Sequence, residues 1–148
     1  MTQDSFRSHL NYPVNYFFAM VQTALTDGRT LGIIMGDGFG SSYASKTSNE
    51  DFLTLDGMAK KLDVTLLEED PSDIMSLKHL RSANLNRFGA SCDLVYEPKY
   101  KQDNVIYLVL ISFQQRATYG RFSGTCQVDG EQIKIESWGF FEHVHMRW

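Results

Sequence analysis

The fold is decided by the stretch Phe88-Gly89-Ala90-Ser91-Cys92-Asp93-Leu94-Val95-Tyr96-Glu97, in which apolar residues occupy every second position. Successive side chains of a β-strand point to opposite faces, so this alternation indicates a strand with one apolar face. We predict that the side chains of Phe88, Ala90, Cys92, Leu94 and Tyr96 point into a core. Ser91 and Asp93 are then expected to face solvent or polar partners.

Three Asp-Gly dipeptides supply the turns that such strands need: Asp27-Gly28, Asp56-Gly57 and Asp129-Gly130. A type I′ turn requires positive φ at both central residues, which Asp tolerates and Gly adopts freely. Each dipeptide lies between two candidate strands and therefore predicts a two-residue β-hairpin.

Candidate strands flank these turns and fill the rest of the chain. The predicted hairpins pair residues 14–25 with 30–35, 52–55 with 59–68, and 119–128 with 132–137. Residues 105–113 are apolar throughout, which predicts a strand covered on both sides, and residues 139–148 form a candidate last strand. Only residues 72–82 are compatible with a short helix. About nine short strands predict a single all-β domain over residues 1–148, a closed or nearly closed antiparallel barrel of about eight to ten strands.

Composition limits the classes of partner and compartment. The net charge is −4 and no cluster of basic residues occurs, so we expect no nucleic-acid partner. No apolar run approaches the roughly 20 residues that span a bilayer, and the N-terminus lacks the order of a secretory signal. We therefore expect a soluble, cytoplasmic protein without a membrane span.

The cysteines and histidines give weak signals. Cys92 and Cys126 are predicted to be two buried small hydrophobic residues, and a bridge between neighbouring strands stays open as the alternative. His143 and His145 share one face of a strand, a spacing that can serve a metal ion. No third ligand is placed beside them by the sequence, with His9, His79 and Glu142 as the candidates. We therefore predict no metal and no cofactor.

The C-terminal motifs resemble a known family. They are Tyr119-Gly120-Arg121-Phe122-Ser123-Gly124, then Asp129-Gly130, then Gly139-Phe140 and Glu142 before a closing Trp148. From about Tyr16 to Trp148 the chain resembles the C-terminal half of the domain of unknown function family 2804. The resemblance implies a lipocalin-like (calycin-type) barrel related to carotenoid hydratases such as hydroxyneurosporene synthase. Those proteins pair two barrels and handle apolar ligands, so the chain is either a naturally short form or one half of a pair.

The leading hypothesis for function is binding of a small lipophilic ligand in the barrel, without catalysis by this chain alone. The candidate ligand-binding residues are mostly aromatic: Tyr16, Phe18, Phe39, Phe113, Phe122, Arg121, Trp138 and Phe140. One alternative is a hydratase, isomerase or cyclase acting on an apolar terpenoid-like substrate, with Glu142 or Asp37 as a general acid. Another is a structural or interaction subunit whose barrel is filled by side chains.

Two further expectations concern charge pairing and assembly. A charge inside a barrel must be paired, so we predict a buried ion pair between Arg121 and Glu142. A lone half of a two-barrel protein would expose apolar surface, which predicts a homo-oligomer or a partner carrying the missing N-terminal half. The candidate residues for that surface are Tyr12, Tyr16, Phe18, Phe141 and Trp148.

Overall fold

A computed structural model describes residues 14–37, 51–84, 87–108 and 112–147. This part of the chain is all-β and contains nine strands, which we number in chain order: β1 (Val14–Ala24), β2 (Thr30–Asp37), β3 (Phe52–Leu55), β4 (Met58–Lys61), β5 (Thr65–Glu68), β6 (Lys78–Ser82), β7 (Ala90–Tyr107), β8 (Ser112–Val128) and β9 (Glu131–Arg147). They form one antiparallel sheet in the order β4-β3-β2-β1-β9-β8-β7-β6-β5. The sheet curls into a half-barrel that is consistent with the lipocalin-like architecture, so the predicted fold class is confirmed.

Two of the three predicted hairpin turns have the expected form. Asp56 and Asp129 have φ values of 47° and 49°, each is followed by a glycine with positive φ, and each turn contains two residues. The first turn differs, because Leu25 N–H donates to Arg29 O (2.7 Å) and Gly28 N–H donates to Leu25 O (3.0 Å). Only Gly28 has positive φ there. The type I′ prediction at Asp27-Gly28 is therefore wrong: Gly28 closes a three-residue loop instead.

The segment predicted as one strand over residues 59–68 is broken at residues 62–64. Its two parts are β4 and β5, which lie at opposite edges of the sheet. Leu62 and Asp63 are buried where the chain crosses from one edge to the other. Leu62 N–H donates to Asp51 O (3.1 Å), and Ala83 N–H donates to Val64 O (2.8 Å). The crossing therefore links the two edges covalently, and this connection requires the sheet to curl.

A buried carboxylate joins β2 to β5 at the place where the chain crosses between the sheet edges. We call this junction of β2 and β5 the seam. Asp51 is 1 % exposed and immediately precedes β3. Its Oδ1 accepts from Gly36 N–H in β2 (2.6 Å), while its Oδ2 accepts from both N–H and Oγ1–H of Thr65 in β5 (2.9 Å each). Hydrogen bonds to an ionised acceptor are about twice as strong as neutral ones. Asp51 thus connects strands that share no ladder in the described residues.

The apolar segment 105–113 is the main error in strand placement. It contains the end of β7 and the beginning of β8, and Val105, Ile106 and Tyr107 are 45 %, 53 % and 73 % exposed. The predicted strand covered on both faces is therefore wrong. The predicted separate last strand is also wrong, because those residues continue β9 without a break. A continuous apolar run cannot distinguish a covered strand from an exposed one by periodicity alone.

Residues 72–82 form no helix. Asp70 and Asp73 accept hydrogen bonds from the backbone N–H groups of Ser72 (2.9 Å) and Met75 (2.8 Å), which closes two local turns. These side-chain contacts compete with helical backbone pairing. The chain then enters β6 at Lys78.

The inner face of the sheet is filled by large side chains. Ala90, Cys92, Leu94 and Tyr96 are buried as predicted, whereas Phe88 is 39 % exposed because it precedes the first residue of β7. Asp93 is exposed as predicted, but Ser91 is buried, so the prediction of a solvent-facing side chain is wrong there. The ring of Tyr96 lies 4.4 Å from Phe122 and 5.8 Å from Phe141, centroid to centroid. Aromatic packing therefore fills the centre of the half-barrel.

Cys92 and Cys126 are register partners in β7 and β8, with Cα atoms 4.1 Å apart, and a disulfide joins them. Both are buried, as expected, but the prediction of two free thiols is wrong. The alternation along β7 places Cys92 on the inner face, and the β7–β8 register brings Cys126 opposite to it. The bridge therefore depends on a register that the sequence alone does not give.

Candidate functional site

A cleft of about 520 Å³ lies at the end of the sheet where β1 and β8 begin and β2 and β9 end. Its lining combines apolar, acidic and basic side chains: Asn15, Tyr16, Phe17, Asp37, Glu69, Asp70, Pro71, Ile74, Gln114, Arg116, His143, Val144 and His145. Small-molecule sites usually have volumes of this order and mix apolar walls with a few polar groups. The cleft is therefore the first candidate for a binding site.

Lys78, just behind this cleft, has a side chain that is 0 % exposed. It occupies an inward position of β6, two residues before the buried Leu80. Its Nζ donates to the carbonyl oxygens of Ile74 (2.8 Å) and Ser76 (3.1 Å) and lies 3.5 Å from Glu69 Oε2. It also stands 5.2 Å from the ring centroid of Phe141. Burial lowers the pKa of Lys78, and the neighbouring Glu69 charge opposes that shift.

Glu69 connects the buried lysine to the cleft. Its Oε1 accepts a hydrogen bond from His143 Nε2 at 2.7 Å, and its side chain is 12 % exposed. Burial alone would raise the pKa of Glu69, but the hydrogen bond from His143 and the charges of His143 and Lys78 outweigh it, so the pKa is lowered. Glu69 is therefore held as a carboxylate between two nitrogen donors.

His143 lines the cleft and connects it to the Lys78–Glu69 pair. Its ring packs edge-on against Phe141 (5.1 Å between centroids) and lies 6.2 Å from Phe17. An ionised carboxylate can only accept, so the Nε2 that faces Glu69 carries the proton. In neutral His143 the other ring nitrogen, Nδ1, is then an acceptor. The Lys78–Glu69–His143 triad thus fixes both the orientation and the tautomer of a partly exposed histidine.

Comparison with known families identifies the chain. A family model described as Domain of unknown function (DUF2804) matches residues 3–148. The chain belongs to this family. No curated protein and no solved structure matches it. In the described part of this DUF2804 member, no helix is long and apolar enough to cross a membrane.

Two of the predicted site residues, Tyr16 and Asp37, line the cleft of this DUF2804 chain. Burial raises the pKa of Tyr16, and the charge of Glu142 adds to the shift. Glu142 itself accepts a hydrogen bond from Gln115 Nε2 (2.7 Å). Phe122 lies in the filled core, and Phe39 lies outside the described residues.

The predicted ion pair between Arg121 and Glu142 is wrong. The β8–β9 register places Trp138 opposite Arg121 and Ala117 opposite Glu142, so the two charges are separated along the strands. Arg121 instead donates to Glu136 on the exposed surface. The sequence showed that both residues belong to the closing motifs, but it did not show which positions of β8 and β9 oppose each other.

The other aromatic candidates lie on the outer face of the sheet. Phe18 stands 5.7 Å from Phe140, and Trp138 stands 6.5 Å from Tyr100, centroid to centroid. Phe113 is half-buried near the beginning of β8, opposite Ile106 and Met146. Of the residues proposed for an assembly surface, Phe141 is fully buried and cannot serve, and Tyr12 and Trp148 lie outside the described residues.

The sequence does not single out Glu69 or Lys78 as site residues. Glu69 stands in the acidic run Glu68-Glu69-Asp70, which is typical of a solvated surface. Lys78 shares its alternation with Leu80 and Ser82, a signal that was available but short. The spacing of His143 and His145 indicates only a possible metal ligand and gives no sign of the contact with Glu69. No group of three or more potential metal ligands occurs among the residues that the structure describes.

Proposed function

We propose that this chain binds a small lipophilic ligand carrying one hydroxyl group in the cleft at the end of the half-barrel, without catalysing a reaction alone. The observation that carries the proposal is the Lys78–Glu69–His143 triad opening onto a cleft that apolar residues line in part. The same proposal includes three wider points. They are a relationship to lipocalin-like proteins and carotenoid hydratases, a single domain over residues 1–148, and a cytoplasmic location.

The filled core directs the ligand to the cleft. Tyr96, Phe122 and Phe141 occupy the centre of the half-barrel, so a ligand would lie above these rings. Phe17 and Ile74 line the cleft, and the ring of Phe17 lies 6.2 Å from that of His143, so an apolar wall for the body of the ligand adjoins the triad. Burial of apolar surface contributes about 25 cal/mol per Å², which favours a lipophilic occupant.

The triad favours a hydroxyl group at the polar end of the ligand. Within the described residues, His143 Nδ1 has no hydrogen-bond partner, while Nε2 is committed to Glu69. A neutral His143 therefore offers an acceptor to the cleft, and a hydroxyl group can donate to it. A carboxylate would meet three acidic residues in this cleft, Asp37, Glu69 and Asp70, against one arginine, Arg116, so the lining disfavours it.

The proposal is tested with all-trans-retinol, a fluorescent lipophilic alcohol, and with retinyl acetate as a matched probe that lacks the donor. We expect retinol to bind more tightly. His143→Phe should weaken retinol binding about three- to tenfold, the usual effect of one hydrogen bond, and leave retinyl acetate binding nearly unchanged. His79→Phe is the matched control, because His79 lies outside the cleft, beside Asp93.

Equal affinity of both probes, or equal losses in the two variants, would contradict the hydroxyl assignment. Failure of either probe to bind would contradict the cleft as a lipophilic site. Organic extraction of the purified protein followed by mass spectrometry then tests for a native lipophilic alcohol.

A further inference from the structure

Among the described residues, one edge of β7 is uncovered over residues 97–107, more than half of its length. β7 pairs with β8 from Ala90 to Tyr107, but β6 covers it only from Asp93 to Tyr96. From residue 97 to residue 107, no described strand lies beside the other edge. A free edge presents a row of unpaired backbone N–H and C=O groups, which can pair with a strand of another chain.

Two features that usually block an edge strand, a proline and a bulge, lie only at the beginning of this edge, at residues 98–100. A bulge shifts the register between Pro98 and Tyr100, opposite Gly120, where an added Cβ would lie 2.1 Å from Glu97 O. Beyond this bulge the strand is regular, and it ends in the exposed apolar residues Val105, Ile106 and Tyr107. Long, regular edges with apolar side chains are the ones that recruit a further strand.

The charges on this edge are complementary to those on the same edge of a second copy. In an antiparallel pairing about a two-fold axis at Gln102, Lys101 of one chain stands opposite Asp103 of the other, and the symmetry produces this pair twice. Neither residue has an ion-pair partner in the described part of the chain. Arg116 is the register partner of Asp103 within the chain, but no ion pair joins them there.

We propose that the free edge of β7 pairs with the same edge of a second copy of this chain, antiparallel and centred on Gln102. The pairing joins the two sheets into one, with backbone hydrogen bonds across the axis and a Lys101–Asp103 contact on each side of it. Beyond the bulge it also places Tyr100 opposite Asn104 of the second copy, so residues 100–104 of the two chains pair in register. Opposite charges at directly facing positions stabilise an antiparallel pair, and like charges destabilise it.

Charge exchange provides the test, with sedimentation velocity of the full chain at micromolar concentration as the measurement. We expect the wild-type chain to be a dimer. Lys101→Asp alone and Asp103→Lys alone each place like charges opposite each other twice, and each should weaken the dimer at least about tenfold. An equimolar mixture of these two variants should form a heterodimer, and the double variant Lys101→Asp/Asp103→Lys should again form a homodimer.

The mixture distinguishes a repelled interface from a misfolded chain, because only folded variants can recover by pairing with each other. Lys134→Asp is the matched control: it makes the same charge change at an exposed position of β9 and should remain a dimer. A monomeric wild-type chain overturns the proposal. So do single variants that dimerise as the wild type does, and so does a mixture that fails to associate.

This test is independent of ligand binding. The charge variants lie outside the cleft, so retinol titration of the same samples reports on the proposed function separately.

Discussion

Lys78 Nζ stands 5.2 Å from the ring centroid of Phe141 while lying 3.5 Å from Glu69 Oε2. The ammonium group is thus placed between an aromatic face and a carboxylate, with two backbone carbonyl oxygens as further acceptors. Cation–π attraction and charged hydrogen bonds together offset part of the desolvation of a fully buried lysine. The arrangement places the buried ammonium group of Lys78 behind the cleft. There it lies beside Glu69, the residue that orients His143.

Lys78→Met should destabilise the protein by about 3 kcal/mol. The apolar stem is preserved, but Glu69 loses its buried partner and two carbonyl oxygens lose their donor, and removing one member of a buried pair is costly. Urea unfolding measures the change. Lys134→Met, at an exposed position, should change stability by less than about 0.5 kcal/mol. An equally small loss for Lys78→Met would show that the pair contributes no net stability.

The contribution of Glu69 should depend on pH. Its pKa in the folded chain lies below the ordinary value of 4.5, because the His143 hydrogen bond and the nearby charges outweigh its burial. The unfolded chain therefore takes up the proton first as pH falls. The stabilising contribution is fully present above about pH 4.5 and is lost as pH falls through the folded-state value.

Urea midpoints from pH 6 to pH 3 measure this loss. Glu69→Gln should be less stable than the wild type at pH 6, and the difference should shrink at the acidic end. The surface variant Glu136→Gln serves as a control for the general effect of removing a carboxylate. A difference between wild type and Glu69→Gln that is constant with pH would contradict the lowered pKa.

Asp51→Asn should loosen the seam between β2 and β5. The substitution keeps the size of the side chain but replaces the carboxylate that accepts from Gly36 and Thr65 with an amide, at an expected cost of about 1–3 kcal/mol. Hydrogen exchange of the Gly36 and Thr65 amides should accelerate more than exchange within the β7–β8 ladder. Thr65→Val, which removes only the hydroxyl donor, should give a smaller loss; a larger loss would assign the seam to Thr65 itself.

Leu94→Ala should cost about 2–5 kcal/mol, since Leu94 is 1 % exposed on the inner face of β7. Val95→Ala, at the next position on the outer face, is the control and should cost much less. Equal losses at the two positions would contradict the orientation of β7.

Local chemistry made much of this fold predictable from the sequence. The Asp-Gly turns at residues 56–57 and 129–130 and the buried positions Ala90, Cys92, Leu94 and Tyr96 depend only on neighbouring residues, and the predictions for them are confirmed. The break at residues 62–64 was not predictable in the same way. It depends on Asp51, a distant residue that supplies acceptors for both sides of the seam.

The candidate site was less predictable because it depends on register and distant contacts. Glu69 and His143 meet through the curl of the sheet, although they are far apart in sequence. The Arg121–Glu142 prediction failed for the same reason, since a shift of a few positions along β9 separates two charges completely. Tyr16 and Asp37 were named from residue type alone, and the sheet places both at the cleft.

The strand order also bears on how the chain folds during synthesis. β1 to β4 form one meander and β5 to β9 form another, and the β1–β9 ladder joins them through pairs such as Val14 with Met146. On the ribosome the first meander emerges long before β9 is synthesised. Until then, one edge of β1 and the apolar residues of its inner face are uncovered. Completion of the sheet therefore depends on release of the last strand, and the nascent chain has its greatest need of chaperone protection during this interval.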